Sequence, residues 1–274
     1  MLVAVLAVAV GAITVALVNG SQPADPTPRD PRDPALSLTA DPARKRTAAQ
    51  ITSTFETSTL EIQYDYAENI GDGRGITAGR AGFTSGTGDL LLLVQRYTEV
   101  EPDNVLAKYL PALEEVDGTD AEDGLGGFAE HWAEAAQEPQ QRALQDDLVD
   151  ELYFDPAMEM AADAGIRTPL GQAILWDSMI QHGSGGPSGT RAMIGETLDV
   201  FGDVGDDEAA WLDSFLDVRL RHLLETYADT TQDGDTSSRS RVDALRSFLL
   251  DGELTLQSPL NWEVYGDAFT LSVE

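Results

Sequence analysis

A long series of amphipathic segments follows residue 89, and it is the feature that most restricts how this chain can fold. The apolar residues recur at steps of three and four, which places them on one face of an α-helix. Asp89 is predicted to cap the first segment, LLLLVQRYTEV, and Pro102 to open the second, which contains VLAKYLPALEEV. The other segments cover residues 127–136, 140–152, 156–164, 169–182, 190–201, 208–228 and 241–251. The sequence therefore predicts a mainly α fold.

A further helix and a glycine-rich segment precede this series. Residues 43–59, ARKRTAAQITSTFETST, are predicted to form a helix with Ile51 and Phe55 on one face. Glu56 then lies close to the C-terminal end of this helix. Residues 60–89 mix short alternating runs with many glycines, which favours a small, irregular β-rich segment over another helix.

The N-terminal part of the chain has a different composition. The residues up to Val18 are apolar or small, so we expect residues 1–20 to be an export signal; a membrane anchor is the alternative, because no basic residue begins the segment. Residues 21–42 are rich in proline and aspartate and show no apolar periodicity, which is typical of a disordered linker. The folded domain is then expected at residues 43–274, outside the cell if the signal is cleaved.

The charge of the chain restricts its partners. The formal net charge is -31, and such a surface repels nucleic acid and other polyanions while attracting polycations. A solvated acidic surface without a ligand explains the charge equally well. The chain contains no cysteine, which excludes thiol catalysis, disulfide bonds and thiolate metal sites.

Two carboxylates flank the glycine-rich segment and are candidates for catalysis. Glu56 ends the first helix, and Asp72 lies in the turn GDGRG. Glycoside hydrolysis needs a protonated carboxyl group that donates to the leaving oxygen and an ionised one that acts on water or on the sugar. The residue types alone also fit a surface glutamate and an ordinary Asp-Gly turn. The spacing along the chain does not decide between these interpretations.

A resemblance to a known family extends this reasoning. The block ETSTLEIQYDYAENIGDGRGITAGRAGFTSGTGD resembles the signature of glycoside hydrolase family 46, the chitosanases. Similar motifs follow in the same order as in the family. They are EPDNVLAKYLPAL, YFDPA, LGQ, WDSMIQHG, FLDVR and PLNWEVYGD. The resemblance covers residues 45–272. It implies an α+β, lysozyme-like fold with two helical lobes, a small β segment and a substrate cleft between the lobes.

The resemblance also implies catalytic roles. Glu56 is the expected general acid and Asp72 the general base, with the Thr77 hydroxyl helping to hold the attacking water. Arg74 and Tyr66 are expected near the substrate. The implied reaction is a single displacement with inversion, for which the two carboxyl groups stand roughly 6.5–9.5 Å apart.

A buried charge network is implied behind the catalytic base, formed by Asp177, Arg219 and Arg241. The alternative for these three residues is a salt bridge that only joins helices. The assignment of Arg241 also depends on the preceding acidic, serine-rich stretch, residues 229–238, which is predicted to be an exposed loop.

Asp89 matches a position at which the family binds the amino group of a glucosamine unit. A carboxylate there pairs with an ammonium group and gains nothing from a neutral acetamide, so it distinguishes chitosan from chitin. The alternative role is the helix cap described above, and one residue can serve both.

The remaining candidates point to structural roles. At least three of the four tryptophans are expected in the core, and His182 is expected to be a structural residue. We expect no cofactor and no catalytic metal, because no histidine lies at metal-ligand spacing. Ile62 departs from the family pattern, since many relatives carry tryptophan there, which leaves the packing beside Glu56 open.

Together these points predict a secreted, endo-acting and monomeric chitosanase that binds chitosan and its oligomers. Contact with a membrane is expected only if the N-terminal segment remains uncleaved. Two alternatives remain at this stage. One is a non-catalytic acidic protein that binds polycations, and the other is a lysozyme-like hydrolase of chitin or peptidoglycan.

Overall fold

A computed structural model describes residues 30–226 and 232–272 of the chain. The predicted signal or anchor, residues 1–20, and most of the predicted linker lie outside the described residues. Within the described part, no helix combines the length and hydropathy that a membrane crossing requires.

The predicted linker does not extend to residue 42. Leu36, in a short 3-10 helix at Pro34–Leu36, and Leu38 are both buried. The Leu38 backbone N–H donates to the side chain of Gln172 at 2.8 Å. The linker prediction was therefore wrong for residues 34–38. Burial of the apolar surface of two leucines stabilises an ordered structure there despite the proline-rich composition.

The first helix, α1, spans Pro42–Thr57, close to its predicted bounds. Asp41 caps its start by accepting hydrogen bonds from the backbone N–H groups of Ala43 and Arg44. The helix ends at Ser58, which adopts a left-handed backbone conformation. Its buried face leaves Glu56 partly exposed on the last turn.

The glycine-rich segment forms a three-stranded antiparallel sheet, as its composition predicts. The strands are β1 (Ala67–Asn69), β2 (Ile76–Ala78) and β3 (Phe83–Thr84), in that order across the sheet. Asn69 pairs with Ile76, so residues 70–75 form the loop that carries Asp72. Gly75 closes this loop with φ +75°, and a Cβ atom there would lie 2.2 Å from Ser85 Oγ.

Nine helices follow in the described chain, which confirms the mainly α prediction. They are α2 (Asp89–Val100), α3 (Leu110–Val116), α4 (Phe128–Ala135), α5 (Pro139–Val149), α6 (Asp155–Ala164), α7 (Pro169–His182), α8 (Thr190–Phe201), α9 (Glu208–Thr226) and α10 (Gln232–Leu250). A π-helical turn, Asp150–Phe154, joins α5 to α6. Helix α7 is buried along most of its length, and α1, α6, α8 and α9 pack against it.

Two predicted helix starts were wrong. Gly88, not Asp89, is the N-cap of α2, and Asp89 is the first helical residue. Pro102 opens no helix, because the Asn104 side chain accepts hydrogen bonds from the N–H groups of Leu106 and Ala107 and forms a turn. The chain becomes helical only after this turn.

The predicted loop at residues 229–238 was wrong over residues 232–238, which belong to α10; residues 229–231 lie outside the described chain. The buried residues Val242, Leu245 and Phe248 anchor α10 in the core. Extending an anchored helix costs little for each added residue, so the polar stretch before them is helical as well.

A two-stranded C-terminal hairpin was missed in the sequence. It consists of β4 (Leu260–Val264) and β5 (Asp267–Leu271), joined by Tyr265 and Gly266, both at positive φ. The signals were present, since buried and exposed residues alternate along β4 and a glycine ends the turn. All four tryptophans are at most 5 % exposed, which confirms the core prediction.

Candidate active site

An open cavity lies between the end of α1 and the three-stranded sheet. Its volume is about 730 Å³, and we call it the Glu56 cavity. Its lining includes the candidate residues Glu56, Tyr66 and Thr77, together with Ile70 and Arg80. The structure therefore brings three of the candidate site residues to one cavity from two different elements.

Glu56 is held from one side only. Its Oε1 atom accepts a hydrogen bond of 2.7 Å from Arg241 Nη1, and its side chain is 41 % exposed. Its Oε2 atom accepts no hydrogen bond from the described residues. One carboxyl oxygen is thus fixed by α10, while the other is free to meet a ligand in the cavity.

Arg241 belongs to a buried ion-pair network. Its Nη2 atom donates to Asp177 Oδ1 at 2.8 Å, and Arg219 Nη2 lies 2.7 Å from Asp177 Oδ2. Thr52, one turn before Glu56 on α1, donates to the same carboxylate at 3.2 Å. The three predicted network residues therefore do come together, at the junction of α1, α7, α9 and α10.

The position of this network was predicted wrongly. It was expected behind Asp72, but in the structure it binds Glu56. The reason is geometric: Thr52 and Glu56 lie on the side of α1 that meets α7 and α10, whereas Asp72 lies in the exposed loop between β1 and β2 and pairs with Arg74.

Charge and burial oppose each other at Asp177. Burial raises the pKa of its carboxyl group, but the two guanidinium groups outweigh burial and lower this pKa to about 2. Burial alone would lower the pKa of Arg241, whereas Asp177 and Glu56 raise it overall. The network is therefore fully ionised across the physiological range, and Arg241 always presents a cation to Glu56.

Asp72 is paired locally rather than through the core. Arg74 donates to its Oδ2 atom from Nε at 2.8 Å and Nη2 at 2.6 Å, and to Oδ1 from its backbone N–H at 3.1 Å. The side-chain hydrogen bonds from Arg74 are the main cause of a lowered pKa at Asp72. Asp72 is not part of the lining of the Glu56 cavity, although Ile70 and Thr77 on either side of it are.

Thr77 contributes a hydroxyl group to the cavity wall. The residue is 6 % exposed, and its Oγ1 atom has no hydrogen-bond partner in the described chain. A buried hydroxyl without a partner is unfavourable by roughly 1–3 kcal/mol, which makes the Thr77 hydroxyl a candidate for binding a water molecule or a ligand group.

Asp89 lies next to β3 and has one carboxylate oxygen engaged. Its Oδ1 atom accepts hydrogen bonds from the backbone N–H groups of Thr84 and Leu90 and from the Thr87 hydroxyl. No described residue donates to its Oδ2 atom. The carboxylate is therefore fixed in orientation and keeps one oxygen for a cation.

Two tyrosines near the site were missed as candidates. Burial raises the pKa of Tyr153, and the charges of Asp89, Arg74 and Glu56 act on the same phenol. Tyr153 therefore lies within electrostatic reach of residues from α1, the Asp72 loop and α2. The motif YFDPA contained this residue, but nothing in the sequence distinguished it from a core aromatic residue.

Tyr265 at the tip of the C-terminal hairpin is the second of these tyrosines. Its hydroxyl donates to the Phe55 carbonyl at 3.0 Å and so holds the last turn of α1. The Tyr-Gly turn signal identifies the hairpin, but not its partner on α1.

Ile62, the position that departs from the family pattern, lies close to Glu56. A small cavity of about 20 Å³ is lined by Glu56, Ile62, Trp176 and Arg80, among others. Ile62 and Trp176, which comes from α7, therefore both border this small cavity beside Glu56. In the described part of the chain, no group of three or more histidine, aspartate or glutamate side chains is arranged to hold a metal ion.

An open cavity with a glutamate held by a buried arginine, and an ionised aspartate on a loop flanked by cavity residues, are features of a glycoside hydrolase. The comparison with protein families agrees. The chain belongs to glycosyl hydrolase family 46, whose profile matches residues 50–260. The resemblance seen in the sequence is therefore confirmed.

The similar proteins are chitosanases. A chitosanase of Bacillus subtilis is 43 % identical over 224 residues, which cover 80 % of this chain and 81 % of that protein. A chitosanase of a Streptomyces species is 42 % identical, over 85 % of this chain and 83 % of the relative. The solved structure of a Gynuella sunshinyii family 46 chitosanase in complex with chitotetraose is 43 % identical, with a TM-score of 0.76, covering 84 % of this chain and 98 % of that one.

Proposed function

We propose that this protein is an endo-acting chitosanase, which hydrolyses β-1,4 bonds between glucosamine units of chitosan by an inverting mechanism. The observation that carries the proposal is the Glu56 carboxyl group, which lines an open cavity and is fixed by Arg241. Membership of family 46 and the similarity to chitosanases support the substrate.

Glu56 acts as the general acid. Arg241 occupies Oε1, so the proton is carried on Oε2, the oxygen that faces no donor in the described chain. This proton moves to the glycosidic oxygen as the bond from that oxygen to the anomeric carbon breaks. The leaving sugar departs as a neutral alcohol.

Asp72 acts as the general base. Hydrogen bonds from Arg74 lower its pKa, which keeps the carboxylate ionised and able to accept a proton from water. The Thr77 hydroxyl helps to hold this water. The water oxygen attacks the anomeric carbon from the face opposite the leaving group, and the product has the inverted, α configuration.

Asp89 and the overall charge select a cationic substrate. The free Oδ2 atom of Asp89 pairs with the ammonium group of a glucosamine unit, and Tyr66 lines the cavity beside the catalytic residues. The net charge of -31 concentrates a polycation near the surface. The Asp89 carboxylate thus provides selectivity for a cationic sugar. The negative charge of the whole chain increases the rate at which the polymer meets the protein.

The acid assignment is tested with Glu56→Gln. We expect turnover of chitosan to fall by at least about 10³-fold while affinity is retained, because glutamine keeps the shape but has no proton to donate. Release of reducing ends measures turnover, and calorimetric titration with a chitosan oligomer measures affinity.

The matched control is Glu61→Gln, an exposed glutamate a few residues further along the chain that does not line the cavity. It is expected to retain full turnover. Wild-type activity in Glu56→Gln rejects the acid role, and equal losses in both variants reject a specific role for Glu56.

The stereochemistry is tested by time-resolved NMR of oligomer digestion. We expect the α anomer to appear first at each new reducing end and then to mutarotate. An initial β anomer contradicts the single displacement and requires a covalent intermediate, for which the carboxyl groups would lie only about 5 Å apart.

The substrate assignment is tested with Asp89→Asn. Removing the charge is expected to reduce kcat/KM on highly deacetylated chitosan about tenfold, because one charge-assisted hydrogen bond is lost. The rate on highly acetylated polymer is expected to change little. A faster rate of the wild type on chitin or peptidoglycan than on chitosan favours the lysozyme-like alternative.

We also propose that the protein is exported as a monomer. The apolar residues up to Val18 and the Pro/Asp-rich stretch after them support export. Mass spectrometry of culture supernatant is expected to find protein that lacks residues 1–20, and light scattering is expected to give the mass of one chain. Detection only of membrane-bound protein that contains Met1 contradicts cleaved export.

A further inference from the structure

The C-terminal hairpin carries none of the groups of the proposed reaction, yet it contacts both helices that supply them. Trp262 on β4 is 5 % exposed and packs against Phe248 of α10, with ring centroids 5.9 Å apart. Its Nε1 atom donates to the Thr54 hydroxyl on α1 at 3.1 Å. The base of the hairpin is therefore fixed against α1, which ends with Glu56, and against α10, which carries Arg241.

The tip of this hairpin has an unusual residue in its turn. Val264 pairs with Asp267, so β4 and β5 are joined by two residues, Tyr265 at φ 57° and Gly266 at φ 87°. Turns with positive φ at both central residues favour Asn-Gly, because a bulky side chain is strained in this conformation. A tyrosine in the first position therefore needs contacts that offset the strain.

Tyr265 makes two such contacts. Its hydroxyl donates to the Phe55 carbonyl at 3.0 Å, and its backbone N–H donates to Ser240 Oγ at 2.7 Å. Phe55 directly precedes Glu56, and Ser240 directly precedes Arg241. One residue thus joins the backbone beside the proposed acid to the helix turn beside its arginine partner.

The end of α1 needs the hydrogen bond from the phenol. The last four carbonyl groups of a helix have no partner within the helix, and Phe55 lies among these four residues because α1 ends at Thr57. Ser58 then turns the chain away in a left-handed conformation, and its N–H donates to the Thr54 carbonyl at 3.2 Å. The Tyr265 hydroxyl therefore caps the turn that carries Glu56 from outside the helix.

Tyr265 also lies within electrostatic reach of the acid and its partner. Burial raises the pKa of its phenol, the charge of Arg241 opposes this increase, and the charge of Glu56 adds to it. The hydroxyl therefore keeps its proton and remains a donor across the physiological range. Arg241 also lies over the Phe55 ring, 5.2 Å from its centroid, so Phe55 is contacted both by Tyr265 and by Arg241.

We propose that Tyr265 is a positioning residue for the general acid, because it fixes the last turn of α1 relative to α10 and so aligns Glu56 with Arg241. The inference rests on the proposed acid role of Glu56. Tyr265 does not line the Glu56 cavity, so it acts through Glu56 and not on the substrate. The alignment matters because a reacting group displaced by about 1 Å loses on the order of 10²-fold in rate.

The first test is Tyr265→Phe, which removes the hydroxyl and keeps the ring. We expect kcat on a chitosan oligomer to fall about tenfold while KM is unchanged, because a misplaced acid weakens only the transition state. The matched control is Tyr109→Phe. The Tyr109 hydroxyl also donates to a backbone carbonyl, that of Gly126 at 3.1 Å, but it lines neither cavity beside Glu56. This control is expected to retain the kcat of the wild type.

A double-mutant cycle distinguishes positioning of Glu56 from a general loss of structure. In the Glu56→Gln background, Tyr265→Phe is expected to cause no further fall in turnover, because there is no proton left to position. A role that is only structural lowers turnover by the same factor in both backgrounds, and this result overturns the proposal.

Ser240→Ala tests the second contact of Tyr265. It removes the acceptor of the Tyr265 N–H while placing a good helix former in α10, so a loss of stability is not expected. We expect kcat to fall about threefold with KM unchanged, since the hydroxyl contact with α1 remains. Wild-type kcat in both Ser240→Ala and Tyr265→Phe overturns the proposal.

Hydrogen exchange provides a measurement that does not depend on activity. The Ser58 N–H is expected to exchange about fivefold faster in Tyr265→Phe than in the wild type, and at the wild-type rate in Tyr109→Phe. A wild type that does not hydrolyse chitosan rejects the proposed function. Equal exchange in the two variants instead rejects the claim that Tyr265 holds the end of α1.

Discussion

Two ion-paired carboxylates serve this site in different ways. Asp177 is 1 % exposed and is shared by Arg219 and Arg241, which come from different helices. Asp72 is exposed and is paired with Arg74, only two residues away. Both carboxyl groups have a lowered pKa, but in one case the cause is buried charge and in the other a local hydrogen bond.

The two ion-paired carboxylates differ in what they contribute: the buried one supports the structure of the site, and the exposed one is a candidate for the reaction itself. The Asp177 network is built from three helices and a buried hydroxyl, so it holds Arg241, and through it Glu56, in one position. The Asp72 pair depends on a single loop, and its carboxylate remains open to water. We infer that the buried pair contributes to folding and orientation, whereas the exposed pair adjusts the acidity of a reacting group.

The largest expected effect is the destabilisation caused by Asp177→Asn. Two buried guanidinium groups lose their common partner, and breaking a buried ion pair in this way typically costs about 3–5 kcal/mol of unfolding free energy. Urea denaturation measures it. The control Asp213→Asn removes an exposed partner of Arg246 and is expected to cost less than about 1 kcal/mol. Equal losses in the two variants contradict the comparison.

A second, smaller effect is expected at His182, which ends α7 beside the same network. Burial, together with the charges of Arg219 and Arg241, lowers the pKa of His182 to about 3. Between pH 6.5 and pH 3 the unfolded chain therefore binds a proton here that the folded chain excludes. Stability is lost as the pH falls through this range.

His182→Gln is expected to remove this loss, on the order of 2 kcal/mol after allowing for partial exposure. Thermal unfolding of both proteins is compared between pH 6.5 and about 5.5, above the range in which most carboxylates titrate. If the two proteins lose stability in parallel over that range, His182 does not exclude the proton.

The smallest effect on stability is expected at the exposed ion pair between Asp72 and Arg74. Arg74→Gln is expected to change the unfolding free energy by less than about 1 kcal/mol, because the ion pair is solvated. The effect on catalysis is different in kind. Without Arg74 the pKa of Asp72 rises toward its ordinary value, so activity is lost at a higher pH on the acidic side of the kcat/KM profile.

The measurement is that pH profile for the wild type and Arg74→Gln. A uniform fall in kcat/KM without a shift of the acidic limb indicates that Arg74 only contacts the substrate. A large loss of stability contradicts the view that this pair is local.

Much of the fold was predictable because local patterns were strong. Helices α7 and α8 begin and end at the predicted residues, since Thr168 caps α7, Pro169 opens it, and glycines end both helices. The helix bounds were predicted wrongly where contacts of particular side chains determined the backbone structure. Asn104 delayed a helix by forming a turn, and anchored core residues extended α10 into a polar stretch.

The candidate site was predicted in part. Glu56, Tyr66 and Thr77 were named from the sequence, and they do share a cavity. The partner of Arg241 was misplaced, and Tyr153 and Tyr265 were missed. Each of these depends on interactions between residues more than sixty positions apart, which no local pattern records.

The sequence by itself determined the mainly helical class and the family, and through the family resemblance it named a candidate pair of carboxylates, because periodicity, turn residues and motif order are local properties. Only the tertiary structure decided which carboxylate the buried arginine holds and which carboxylate oxygens accept no hydrogen bond from the described residues. The reason is that burial and hydrogen bonding depend on distances in space, and these are set by how α1, α7, α9 and α10 pack together.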